Sequence, residues 1–197
     1  MTFENLNNRY AGFPCILLGR GPSLDKWLEN KPDTSGHIVI GINNVCSVTK
    51  THYSISCDQD ANQWSHHPTQ WIRGIPYLNA WGKESSFLPD DSLPFAHFGN
   101  TVEGRAGRLR QTRDELAKSK QLYIATSSSH PAIHFAYYLG CSSLTLVGFD
   151  GTGGRAKVTD DGTSRTPPPD SHYADMRKIS AMLCDKLFPE SHTFYTP

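Results

Sequence analysis

The sequence predicts an α/β fold: one domain, with a mainly parallel sheet and helices on both faces. Three observations predict it. Short apolar runs alternate with helical patterns along the chain. Several of these runs are continuously apolar, as strands buried on both faces are. The 197 residues suit one domain with a real core, and show no internal repeat or linker.

The elements follow in order. "PCILLG" (14–19) is an apolar run stopped by glycine, the first strand. "SLDKWLEN" then puts Leu24, Trp27 and Leu28 on one helical face. "HIVIGIN" (37–43) is a β-branched second strand. "THYSISCD" (51–58) alternates more, and is placed as a third strand nearer an edge. "ANQWSHHPTQWI" (61–72) reads as a short helix broken at Pro68, and "IPYLNAW" (75–81) as a fourth strand. "SFLPDDSLPFAHFGN" is loop with room for a short strand. "GRAGRLRQTRDELAKSK" is locally basic and becomes helical late. "QLYIAT" (121–126) is a strand. "SSSHPAIHFAYYLG" is a helix with a serine cap, Pro131 in its first turn and Gly140 at its end. "SLTLVGFD" (143–150) is the clearest strand. Residues 151–171 form a long polar loop, read as flexible. "SHYADMRKISAMLCDKLF" is an amphipathic helix carrying Met176, Ile179, Met182, Leu183 and Leu187 in register, and "HTFYTP" is a last strand.

Bulk properties exclude some classes. Net charge is zero, which opposes a broad electrostatic grip on nucleic acid. The chain opens on polar residues, without a signal-peptide pattern, and no apolar run is long enough to span a bilayer. Five cysteines (15, 46, 57, 141 and 184) form no C-x-x-C pair, which predicts reduced thiols in a cytoplasmic protein. A homo-oligomer is compatible with this composition.

In parallel sheets ligands sit at the carboxyl ends of strands, so those residues carry the functional reading. Gly19-Arg20-Gly21-Pro22-Ser23 is either an anion-holding turn at a helix start or a tight turn with no ligand. Pro22 is preset for the helix start, Ser23 can cap it, and Leu24 stands where a dinucleotide fingerprint would have its third glycine. Asn43-Asn44 can read a base or ribose through donors and acceptors, or form an Asx turn. Asp58-Gln59-Asp60 offers hard carboxylates to Mg²⁺ or Mn²⁺, and Asp60 equally suits a helix cap. Ser127, Ser128 and Ser129 supply more hydroxyls than a cap needs, and so suggest a second anion site. His130 and His134 stand one turn apart without an evident third metal ligand. Asp150 stands where catalytic or ribose-binding carboxylates sit, and also before a turn glycine. Arg155, Lys157 and Arg165 are cations that could close over phosphates, or ordinary solvated charges. His172 opens the last helix, where it can serve as a base or stand as a surface histidine.

Taken together, "ILLGRGPSLD", "VIGINN", "TSSSHPAIHFAYYLGCSSLTLVGFD" and "SHYADMRKISAML" resemble, in order and spacing, the bacterial lipooligosaccharide sialyltransferases. They are equally similar to the archaeal-type 6-hydroxymethylpterin pyrophosphokinase-like proteins and to many uncharacterised phage proteins. The resemblance runs from about Cys15 to Leu187 and is weakest between 60 and 120. It implies a Rossmann-like nucleotide site. By position, Gly19, Arg20 and Gly21 would meet phosphate and ribose, Asn43 the nucleotide, Ser127 to Ser129 its length, and Asp150 the ribose or base. His172 would be the general base. The sequence departs from the sialyltransferases in three places. No tyrosine lies between Tyr138 and Tyr173 to steady a departing phosphate, Arg20 replaces an asparagine, and Asp58-Gln59-Asp60 suits the Mg²⁺-dependent relatives better.

The expected function is a nucleotide-sugar-dependent glycosyltransferase acting on an acceptor hydroxyl, the acceptor itself not being specified. Diphosphate transfer from ATP, or non-catalytic nucleotide sequestration, are the alternatives.

Overall fold

The computed structural model describes residues 3–56, 69–74, 93–95, 97–98, 111–119, 121–125, 127–152, 154–159 and 170–197. The expected 75–81 strand, Asp58, Asp60 and Arg165 lie outside them.

The described residues form nine strands: β1 (Pro14–Leu18), β2 (Ile38–Ile42), β3 (Tyr53–Ser56), β4 (Gln70–Gly74), β5 (Leu93–Phe95), β6 (His97–Phe98), β7 (Leu122–Tyr123), β8 (Ser143–Val147) and β9 (His192–Phe194). The α-helices among the described residues are α1 (Ser23–Glu29), α2 (Arg113–Lys118), α3 (Ser129–Tyr138) and α4 (Asp170–Leu187). Seven strands form one sheet in the order β5-β4-β3-β2-β1-β8-β9, and every pairing in it is parallel. The fold is therefore the Rossmann-like α/β class the sequence predicts.

Side-chain alternation explains why both faces need cover. Cys15 and Leu17 of β1 point into one core with Ile38, Ile40, Leu144 and Leu146. Ile16 and Leu18 point the other way, joining Val39 and Val147. Ile133 and Phe135 of α3 and Ile179 and Leu183 of α4 close the first face. Leu24 and Trp27 of α1 close the second, together with Ala156.

Three local expectations need correction. The end of the expected 61–72 helix is instead the strand β4. Trp71 and Ile72 are both buried, one on each side of the sheet, as adjacent residues of a pleated strand covered on both faces are. β3 is not near an edge: it lies between β2 and β4, and all four of its residues are buried. Its serines do not mark a solvated face, because Ser54 Oγ lies 3.1 Å from Thr51 Oγ1 and 3.2 Å from Thr69 Oγ1. Finally, the 121–126 strand shrinks to Leu122–Tyr123, which pairs with His97–Phe98 outside the main sheet.

Cys15, Cys46, Cys141 and Cys184 are free thiols. Among the described residues no helix is long and apolar enough to cross a membrane.

Candidate functional site

From β1 the chain builds outward to β5, then returns to lay β8 on the other side of β1. The helices that follow β1 and β8 therefore cover opposite faces of the sheet, and at such a switch point a crevice opens at the carboxyl edge. A cavity of about 310 Å³ occupies that place.

Its rim begins with the Gly19-Arg20-Gly21 turn. The glycines answer to packing within the protein. A Cβ on Gly19 would lie 2.6 Å from Gly148 O, and one on Gly21 would overlap the Asp150 carboxylate. Gly148 itself has φ +75°, and a Cβ there would collide with Gly19 O. Gly19 N donates to Val147 O and Gly21 N to Gly148 O, which ties the two strand-end loops together. The missing third glycine of a dinucleotide fingerprint is Leu24, fully buried under α1.

Asp150 lines the cavity and also caps α1. Its Oδ2 accepts from Ser23 N at 3.2 Å and from Ser23 Oγ at 3.1 Å, while Ser23 Oγ accepts from Gly148 N at 3.0 Å. Ser23 was expected to cap the helix itself. It is instead the first helical residue, after Pro22 in helical conformation, and the cap comes from Asp150 in the loop after β8. Ser23 does not line the cavity.

The serine run meets the cavity at the N-terminus of α3. Ser127 Oγ accepts from Ser129 N at 3.2 Å and from Ser129 Oγ at 2.9 Å. That leaves the Ser127 O–H to donate elsewhere, beside the positive end of the helix dipole. Asn43 also lines the cavity, held at φ +55°. Asn44 lies behind it, buried, and donates through Nδ2 to Thr159 O at 2.9 Å.

Residues 154–159 are fastened across the first turn. Ala156 N donates to Arg20 O at 2.7 Å, and Arg20 Nη2 donates to Thr159 O at 3.2 Å. Asp25 accepts from Lys157 N at 2.8 Å and from Val158 N at 3.1 Å. This part of the expected flexible loop is thus anchored. Arg155 lines the cavity, whereas Lys157 is exposed and outside it.

The α4 face is what sequence reasoning missed. His172 lines the cavity as expected, but so do Tyr173, Met176, Arg177 and Ser180. Their spacing is i, i+3, i+4, i+7, the stripe of one helical face, and that was the available signal. Arg177 donates to Phe149 O and stacks its guanidinium 3.5 Å from the Phe194 ring centre. Burial pushes the Arg177 pKa down, opposed by the Asp150 carboxylate. The His172 and Tyr173 rings meet edge to face, 6.2 Å apart.

His130 and His134 serve the core. Burial pushes both down to about 4, so both are neutral at pH 7. His134 Nδ1 accepts from Tyr123 N at 2.9 Å, so its Nε2–H donates to Leu116 O, also at 2.9 Å. With both nitrogens used, His134 has none for a metal. Among the described residues no group of three or more His, Cys, Asp or Glu could hold a metal ion.

The structure thus gathers Gly19, Arg20, Gly21, Asn43, Ser127, Ser128, Ser129, Asp150, Arg155 and His172 around one cavity, and leaves Ser23, Asn44 and Lys157 outside it. No protein-family model matches the chain, and no curated protein or solved structure matches it either.

Proposed function

We propose that the chain is a glycosyltransferase that binds a nucleotide-activated sugar at the β1–β8 crevice and uses His172 as general base. One observation carries the reading: a single cavity holds a histidine together with a helix N-terminus, a serine hydroxyl and a guanidinium. That guanidinium, on Arg155, has no internal partner among the described residues. An anion at one wall and a proton acceptor at another are what displacement of a nucleotide by a hydroxyl requires.

In this reading the acceptor hydroxyl gives its proton to His172 as its oxygen bonds to the anomeric carbon. The bond from that carbon to the phosphate oxygen breaks, and its electron pair leaves with the nucleotide. Arg155, Ser127 O–H and the α3 dipole meet the added charge. Tyr173, beside His172 in the same cavity, offers a phenol that the 151–171 segment lacks. His172 is half-buried, so its proton can return to solvent.

The experiment is a panel of nucleotide sugars and ATP, with and without Mg²⁺, assayed for transfer by wild type and His172→Ala. Glycoside formation that falls at least ~100-fold in the variant, with nucleotide binding kept, is expected. Normal turnover by the variant removes His172 from the chemistry. AMP release from ATP identifies diphosphate transfer, and tight binding without turnover identifies a nucleotide-sequestering protein.

A further inference from the structure

Asp25 does not line the cavity, yet the hydrogen bonds around it bear on how the cavity is built. Arg155 is flanked by Ala156, whose side chain is fully buried in the second core beside Leu24 and Trp27. Beyond Ala156, the backbone N–H groups of Lys157 and Val158 both end on the two carboxylate oxygens of Asp25. Arg20 and Asn44 both donate to the carbonyl of Thr159. The segment is therefore held at Ala156, Lys157, Val158 and Thr159, immediately after the residue that faces the cavity.

Two other arginines among the described residues at the cavity are engaged by the protein: Arg20 with Thr159 O and Arg177 with Phe149 O. Arg155 alone has no internal partner among the described residues. A long cation with no partner at a cavity wall binds an anion well only if its backbone is already placed, because ordering it on binding costs affinity. Asp25 does the placing through two backbone N–H groups that its carboxylate caps.

We infer that Asp25 is a positioning residue that presets Arg155 as a ligand for phosphate oxygens, with residues 154–159 acting as a fixed strap. The inference rests on the proposed function only in taking the anion to be the phosphate of a nucleotide.

The sign of the effect separates positioning from charge. Removing a carboxylate from the neighbourhood of an anion site strengthens anion binding by electrostatics alone. Positioning demands the opposite. The probes are inorganic pyrophosphate and CMP, titrated by calorimetry into wild type, Asp25→Ala, Asp25→Asn, Arg155→Ala and the Asp25→Ala/Arg155→Ala double variant. Circular dichroism establishes that each is folded. Arg155→Ala is expected to weaken both probes about tenfold, and Asp25→Ala by ~3- to 10-fold despite the lost negative charge. Asp25→Asn keeps one acceptor oxygen and should fall between. The double variant should be no weaker than Arg155→Ala, since a strap without its arginine has nothing to place. Trypsin should cut after Arg155 and Lys157 faster in Asp25→Ala.

Unchanged or tighter binding in Asp25→Ala overturns the inference, as does an additive loss in the double variant. Wild-type binding of pyrophosphate but not CMP overturns the nucleotide reading and leaves the strap standing. Binding of neither probe overturns both.

Discussion

Ser23 and Asp150 stand 127 positions apart in sequence and share two hydrogen bonds, from the backbone N–H and the hydroxyl of Ser23 to one carboxylate oxygen. The same hydroxyl accepts from Gly148 N. One serine thus closes α1 and locks the β8 loop. Ser23→Ala strands the part-buried Gly148 N–H and removes a donor to a carboxylate, so it should cost about 1–3 kcal/mol. Asp150→Asn keeps an acceptor and should cost less. Urea denaturation measures both, and equal stability of Ser23→Ala and wild type would refute the link.

Gly148 is set against the carbonyl of Gly19 in a left-handed conformation. Gly148→Ala meets both a strained φ and a collision with backbone that cannot turn aside. A loss of more than about 2 kcal/mol is expected, with a lower melting temperature as the readout. A melting temperature within a degree of wild type would mean that the two loops can separate freely.

His130 and His134 are held neutral by burial, each lowered from the usual 6.5 to about 4. Below pH 6.5 the unfolded chain takes up protons that the folded chain refuses. Stability is therefore full above about pH 6.5 and falls as the pH drops toward 4, by about 1.4 kcal/mol per pH unit for each histidine. Urea midpoints at pH 7, 6 and 5 should show this slope, and His134→Gln should remove about half of it. A flat profile would place these rings in contact with water.

Ser180 borders the cavity, is 1 % exposed, and its hydroxyl has no hydrogen-bond partner among the described residues. An unsatisfied buried hydroxyl on a helix costs stability, and alanine is the better helix former. Ser180→Ala should therefore raise stability by about 1 kcal/mol. A lowered melting temperature would reveal a bond that this hydroxyl makes in solution.

Much of this was legible in the sequence, for reasons visible in single residues. β1 and β2 read correctly because they are short continuous apolar runs, and β8 because its leucines alternate with polar residues. Gly140 at φ +81° ends α3 where its position after a helical pattern predicted. The crevice residues were legible because parallel strands put their following residues on one edge. What escaped depended on distant partners. The Ser54 network makes a serine strand interior, and nothing near residue 54 announces Thr69. Ser23 looked like its own cap, because Asp150 is far away in the chain. Tyr173, Met176, Arg177 and Ser180 looked like an ordinary amphipathic stripe, which gives the periodicity of a face but not what the face meets.

The neighbours of β1 set an order of assembly. On one side lies β2, about twenty positions later; on the other lies β8, with Leu17 in register with Leu146. As the chain emerges from a ribosome, β1 and β2 can pair early, but the far edge of β1 waits for more than a hundred further residues. Until then it presents an apolar strand with open backbone groups, the kind of edge that recruits other chains. Slower synthesis before residue 143, or truncation there, should thus promote aggregation of the nascent chain more than comparable changes after β9 has docked.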